Sequence, residues 1–401
     1  MSVGRWGCRR RLAEGVGFEP TVGFPTLDFE SSALNRTQPP FLKAKGKVQP
    51  AYAKSFGLAS AQRPTSNVQW KADFHIRILH SCLFRILVFG FRICVEMDIT
   101  LTDGGIETRI IYEFKRAIGD FEAYKLLADE AGCDVLRRIY LSYAEVAVRH
   151  GLPIQLGTPT WRASRKWTRD VEGANAAAVE LLRTIVQQFP NARIILAGVI
   201  GPASDGYATD QALSSDAAFA YHREHADILA RLNVDLLYAP TFPAFSELSG
   251  VARAMAETGR PYALAPMLHS NGIMLDGTPL ADAITRIDAE VSPAPHHYMI
   301  GCLYPTHAQT ALQALRTVRP GLVQRVRGLK ANASPLPPEE LDKLNHLAGT
   351  DVHIWARDEL LCAREFDLTI LGGCCGTDER YIEALAKEAT KLERMDEPRR
   401  F

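Results

Sequence analysis

From residue 98 to residue 373 the chain repeats one unit eight times, a short apolar run followed by a stretch of helical period. The first run, Asp98-Ile99-Thr100-Leu101-Thr102, ends in Asp103-Gly104-Gly105, and further runs occupy 152–158, 193–201, 234–241, 261–268, 297–303, 323–330 and 368–373. Between them, Leu136, Ile139, Tyr140, Tyr143 and Val146 fall at helical spacing, and 216–232, 248–258, 279–290 and 338–347 read as further helices. Strands that alternate with helices are most naturally read as parallel, because a helix can carry the chain back to the same edge. Eight such units can close on themselves, so the expected fold is an α/β (β/α)8 TIM barrel. An open doubly wound sheet is the runner-up. It calls for a glycine-rich phosphate loop at the first strand, and Asp103-Gly104-Gly105-Ile106-Glu107 is not G-x-G-x-x-G.

A barrel of this kind gathers its chemistry where the strands end. Two of those ends carry thiols. The sixth run closes on Gly301-Cys302, and the eighth on Gly372-Gly373-Cys374-Cys375-Gly376. In a closed barrel only the seventh strand separates them. Three thiolates from two strand ends suit a zinc ion whose fourth position stays open. The plainer alternative is that Cys374 and Cys375 are small core residues. Cys133 and Cys362 fall within helical patterns, where packing explains them better, and Cys8, Cys82 and Cys94 lie in the first 96 residues. His269, His296, His297 and His307 stand near strand ends or the cysteine loop, where a turn or surface position is the simpler reading. Trp161, Trp167 and Tyr304 could box a cation or simply pack the barrel rim.

Residues 1–96 read differently from the remainder. They hold 14 Lys and Arg against 6 Asp and Glu, and the other 305 residues hold 32 against 40. No helical or alternating period runs through residues 1–71, and residues 17–36 resemble the translated opposite strand of a transfer-RNA gene. We therefore expect 1–96 to be a leader outside the folded unit and 97–401 to be the barrel, with Met97 as its start. The apolar run 78–95 is interrupted by His80, Arg85 and Arg92. A central Arg costs about 2.5–3.5 kcal/mol in a membrane span, so an anchor is the minority reading. Eight cysteines without regular spacing do not form a disulfide framework, and a reducing, cytoplasmic compartment is expected. A net charge of zero, no P-loop and no basic stripe with interleaved aromatics in 97–401 argue against nucleic acid and membrane as partners.

With these motifs in their order, residues 97 to about 392 resemble the zinc-dependent homocysteine S-methyltransferases, which include betaine- and S-methylmethionine-dependent members. The resemblance rests on Asp103-Gly104-Gly105, Gly198-Val199-Ile200-Gly201-Pro202, Gly301-Cys302 and the Gly372–Gly376 cysteine loop. It implies Cys302, Cys374 and Cys375 as zinc ligands and catalytic residues. Asp103, with Gly104, Gly105, Thr158 and Thr241, would contact the substrate. Three positions depart from the family pattern. Pro240-Thr241 replaces the usual Glu-Thr, Gly301 the usual Asn beside the first cysteine, and Gly157-Thr158 the usual Thr-Asn.

The chemistry expected of such a site follows from its charge. Three thiolates bring Zn2+ to a net −1, which suits it poorly to polarising a carbonyl. Such an ion holds a further thiol deprotonated near neutral pH, and that sulfur can attack a methyl group on a sulfonium or quaternary ammonium. The partners are then a small-molecule thiol acceptor and a methyl donor, with homocysteine and S-methylmethionine first. Two other expectations stay open: the same barrel acting on a different thiol or methylated compound, and a non-catalytic zinc or redox module.

Overall fold

The computed structural model describes residues 98–341, 344 and 346–396. Eight parallel strands close in sequence order. They are β1 (Thr100–Thr102), β2 (Ile154–Gly157), β3 (Ile194–Val199), β4 (Leu236–Phe242), β5 (Tyr262–Pro266), β6 (His297–Gly301), β7 (Val326–Ala331) and β8 (Ile370–Gly373). The closing seam pairs Thr100 with Ile370 and Leu101 with Leu371. The expected leader lies outside the described residues.

The strands read as continuous apolar runs because helices cover their outer faces and side chains fill the barrel. The largest apolar cluster lies between strands and helices and includes Leu101, Ile154, Leu237, Leu264, Ile300, Leu329 and Leu371, all buried. A smaller cluster fills the barrel itself: Ala197, Leu236, Tyr238, Ala263, Ala265 and Met299, with Val199 and Ile370 against it. Three of its members are alanines, so the interior is thinly filled. At Gly301 an added Cβ would reach only Ala265 and the Tyr238 hydroxyl, both at 3.9 Å. That leaves room at the end of the barrel where the cysteines emerge.

The helices start and stop where their capping chemistry dictates. Asp129 accepts from the Gly132 N–H at 2.7 Å to open Glu130–His150, and Gly151 (φ 67°) closes it in the left-handed conformation that glycine adopts freely. Three expectations need correction. Of the stretch 338–347, Pro338–Leu341 is helical among the described residues. Residues Pro320–Arg325 make a 3-10 helix ahead of β7. The helix Val352–Phe366 is closed by Asp367 (φ 57°), and β8 begins at Ile370, two residues later than expected. No helix among the described residues is long and apolar enough to cross a membrane.

Candidate metal centre and substrate cavity

The three cysteines meet at one end of the barrel. Cys302 follows β6, Cys374 and Cys375 follow β8, and their sulfurs all lie within 4.8 Å of one another. Cys302 Sγ and Cys374 Sγ are 2.9 Å apart, and all three thiols are free. Cys302 has a φ of 56°, which is unusual for a residue with a side chain. That conformation costs about 1–3 kcal/mol and persists only where the surroundings fix it. Its N–H donates to the Lys330 carbonyl at 3.1 Å, and its carbonyl accepts from Asn332 Nδ2 at 2.9 Å. Asn332 is held in turn by the Trp355 indole, which donates to its carbonyl at 2.9 Å.

The second half of the triad is anchored just as firmly. Cys374 N–H donates to the Ala331 carbonyl at 2.8 Å, and the Cys375 carbonyl accepts from Ala333 N–H at 3.0 Å. Thr377, fully buried, donates its hydroxyl to the Cys374 carbonyl at 2.8 Å and accepts the Gly105 N–H at 3.1 Å. Here the glycines after β1 find their reason. An added Cβ at Gly105 would stand 2.8 Å from the Cys374 carbonyl, and one at Gly104 would stand 2.8 Å from Thr377 Oγ1. Gly104 and Gly105, expected to contact the substrate, thus lie close against the cysteine loop. Both glycines also line the cavity beside it.

Electrostatics divide the thiols. Cys374 is held well below the ordinary thiol range, first by its hydrogen bond with Cys302, then by that with Cys375 and by the Lys330 charge. Cys302 is pushed well above it by the hydrogen bond with Cys374. At Cys375 a hydrogen bond with Cys302 pulls down, but the bond with Cys374 and its charge outweigh it. Like charges this close resist joint ionisation, so the protein alone favours one thiolate, and three require a cation among them.

The triad opens on a cavity of about 470 Å3. Asp103 lines it, with its carboxylate already engaged. One oxygen pairs with Lys330 Nζ, and the other accepts the Gly157 N–H at 2.6 Å. Thr158 and Thr241 line the cavity too, but their hydroxyls are partly committed. Thr158 Oγ1 accepts from Val199 N–H at 2.9 Å and shares a hydrogen with Thr160 at 2.6 Å. Thr241 Oγ1 donates to the Pro240 carbonyl at 2.6 Å and accepts the Trp161 indole N–H at 2.8 Å. Trp161 and Trp167 reach the cavity, and the cation over their rings is the protein's own: the Arg162 guanidinium lies 4.0 and 4.3 Å from their centroids. Tyr304 and the four histidines do not line the cavity. His297 is buried at the start of β6, the end away from the cysteines, beside His296.

Sequence reasoning missed Lys330, Glu107 and Arg162. Lys330 shares β7 with a second cation, Arg327, so nothing in the sequence sets it apart. Glu107, four residues after Asp103, lines the cavity, and burial pushes its carboxyl up to about 7. The charges of Cys374 and Asp103 push the same way, while Lys330 opposes them.

The chain is similar to known proteins over most of its described residues. The chain is 26% identical over 306 residues to the homocysteine S-methyltransferase of Escherichia coli K12, covering 72% of this chain and 95% of that protein. It is also 26% identical over 278 residues to the S-methylmethionine–homocysteine S-methyltransferase BHMT2 of Pongo abelii, covering 64% of this chain and 69% of that one. The fold resembles the metallated form of the Escherichia coli homocysteine methyltransferase MmuM, with a TM-score of 0.57 at 22% identity over 73% of this chain and 96% of that structure. A family model for homocysteine S-methyltransferase matches residues 100–389, and the chain therefore belongs to that family and is a methyltransferase.

Proposed function

We propose that this enzyme holds Zn2+ on Cys302, Cys374 and Cys375 and moves a methyl group from S-methylmethionine to the thiol of homocysteine, giving methionine. The observation that carries the reading is the meeting of three free thiols from two strand ends inside one cavity. The donor set suits the ion. Zinc–sulfur bonds of about 2.3 Å in a tetrahedron set sulfurs roughly 3.8 Å apart, a spacing that the 2.9 Å pair and the 4.8 Å limit bracket.

When bound, zinc supplies a site where the acceptor sulfur stays deprotonated near neutral pH. The protein's own residues do the positioning. Asn332 and Thr377 fix the backbones of the two cysteine segments, and Lys330 places a positive charge near Cys374. The cavity confines acceptor and donor together, so the methyl transfer needs alignment more than acid–base help. Arg162 and Lys166 at the cavity wall favour a donor that carries a carboxylate as well as its onium group. We assign the activity to residues 97–401, with 1–96 dispensable.

A second reading keeps the barrel and the metal but changes the thiol. It is favoured by the uncharged Pro240 and by the pairing of Asp103 with Lys330. One assay separates the cases: methionine formation from homocysteine and S-methylmethionine, with wild type beside Cys374→Ala. We expect wild-type product, near-complete loss in the variant and a fall in bound zinc. A chelator should silence the enzyme with its far-ultraviolet circular dichroism unchanged, because strand pairing and a continuous apolar core hold the barrel together. Unfolding on chelation would favour a structural zinc module instead. Zinc without methionine would favour the second thiol reading.

A further inference from the structure

We propose that Glu107 takes the ammonium of the acceptor thiol and so sets which thiols this enzyme accepts. This rests on the acceptor being homocysteine, and it arises from the charges around the cavity. Asp103 has its negative charge met by Lys330 and its second oxygen by the Gly157 N–H. The end of β4 offers Pro240 and Thr241, neither of them charged. Asp120 and Asp205 share the field of Arg162, which is stacked between the two tryptophans. Glu107 is different. It lines the same cavity as Cys374 and Cys375, and among the described residues no Lys, Arg or His stands within ion-pair distance of it.

Glu107 is half-buried and feels Lys330 only from beyond ion-pair distance, so a ligand that brings a cation into direct contact improves its electrostatics on binding. Glu107 also feels the charge of Cys374, so it sits within electrostatic reach of the triad. A thiol bound at the triad with an ammonium a few bonds from its sulfur would present that cation to Glu107. A thiol without an ammonium would leave Glu107 as it stands. The inference thus assigns to Glu107 the discrimination that Asp103, already paired, is poorly placed to supply.

The test is calorimetric titration of the zinc-loaded full chain with homocysteine and with 4-mercaptobutanoate, which differs from it only in lacking the ammonium. Wild type should prefer homocysteine by about tenfold or more. Glu107→Gln should weaken homocysteine roughly 10–100-fold, the range expected for a hydrogen bond to a charged group. It should leave 4-mercaptobutanoate binding and zinc content unchanged, and Glu107→Asp should restore part of the preference. Equal weakening of both thiols, loss of zinc, or an untouched preference in Glu107→Gln would overturn the assignment while the homocysteine reading stands. A wild type that binds both alike but makes methionine would overturn it in the same way. A wild type that binds neither thiol would overturn the homocysteine reading, and this one with it.

Discussion

The Lys330 side chain leaves β7, passes β8 and pairs with Asp103 at the end of β1, also donating to the Asp103 backbone carbonyl at 3.0 Å. Gly372, its register partner on β8, puts no side chain in the way. The side chains of this pair are only 13% and 5% exposed, so it bridges β7 and β1 with little access to bulk water. Removing one partner leaves the other as a buried, uncompensated charge. Lys330→Met is therefore expected to cost about 3–5 kcal/mol, and Lys330→Met with Asp103→Asn should recover most of it. Urea unfolding of the four proteins in the double-mutant cycle measures this.

Gly105→Ala tests the contact between the end of β1 and the cysteine loop. The new methyl would meet Thr108 Oγ1 at 2.4 Å and the Cys374 carbonyl at 2.8 Å, so the loop must move. A stability loss of about 1–3 kcal/mol is expected, with zinc affinity lowered at least tenfold. Competition with a chromogenic chelator reads the second quantity. Unchanged zinc affinity in a destabilised variant would show that the loop holds the metal without help from β1.

The helix Glu379–Asp396 carries a pH-sensitive contact remote from the cavity. Burial raises the Glu383 carboxyl, but hydrogen bonds from Arg149, His150 and Lys387 outweigh it and bring it to about 2 from an ordinary 4.5. A depressed carboxyl stabilises the fold above about pH 4.5, and the contribution fades as pH falls toward 2. Arg149 and Lys387 are more than half exposed, so screening limits the cluster's worth to about 1 kcal/mol. Glu383→Gln should lower the melting temperature at pH 7 by a few degrees and match wild type near pH 2.

The barrel was legible because eight apolar runs at regular spacing impose one topology, and no single residue decides it. The cysteines were legible because glycines on both sides of Cys374-Cys375 mark a tight strand end. Lys330 and Glu107 were not, since each is one charged residue whose meaning depends on what faces it across the barrel. The roles expected of Gly104 and Gly105 show the same limit. Sequence places them at a strand end as expected substrate contacts, and only the fold shows the cysteine loop lying against them. For Thr158 and Thr241, placement at the cavity was readable, but the hydrogen bonds that occupy their hydroxyls run to strands and side chains remote in sequence.

The β1–β8 seam has a consequence for how the protein comes into being. β1 ends at Thr102 and β8 begins at Ile370, so a ribosome releases the first strand about 270 residues before its partner. Throughout that interval the edge of β1 has no neighbour on one side, and Gly105 has no loop to lean on. Cys302 emerges 72 residues ahead of Cys374, which is itself among the last parts of the barrel to appear. The three-thiol cluster is therefore assembled late in the life of the nascent chain, once the circle of strands can close.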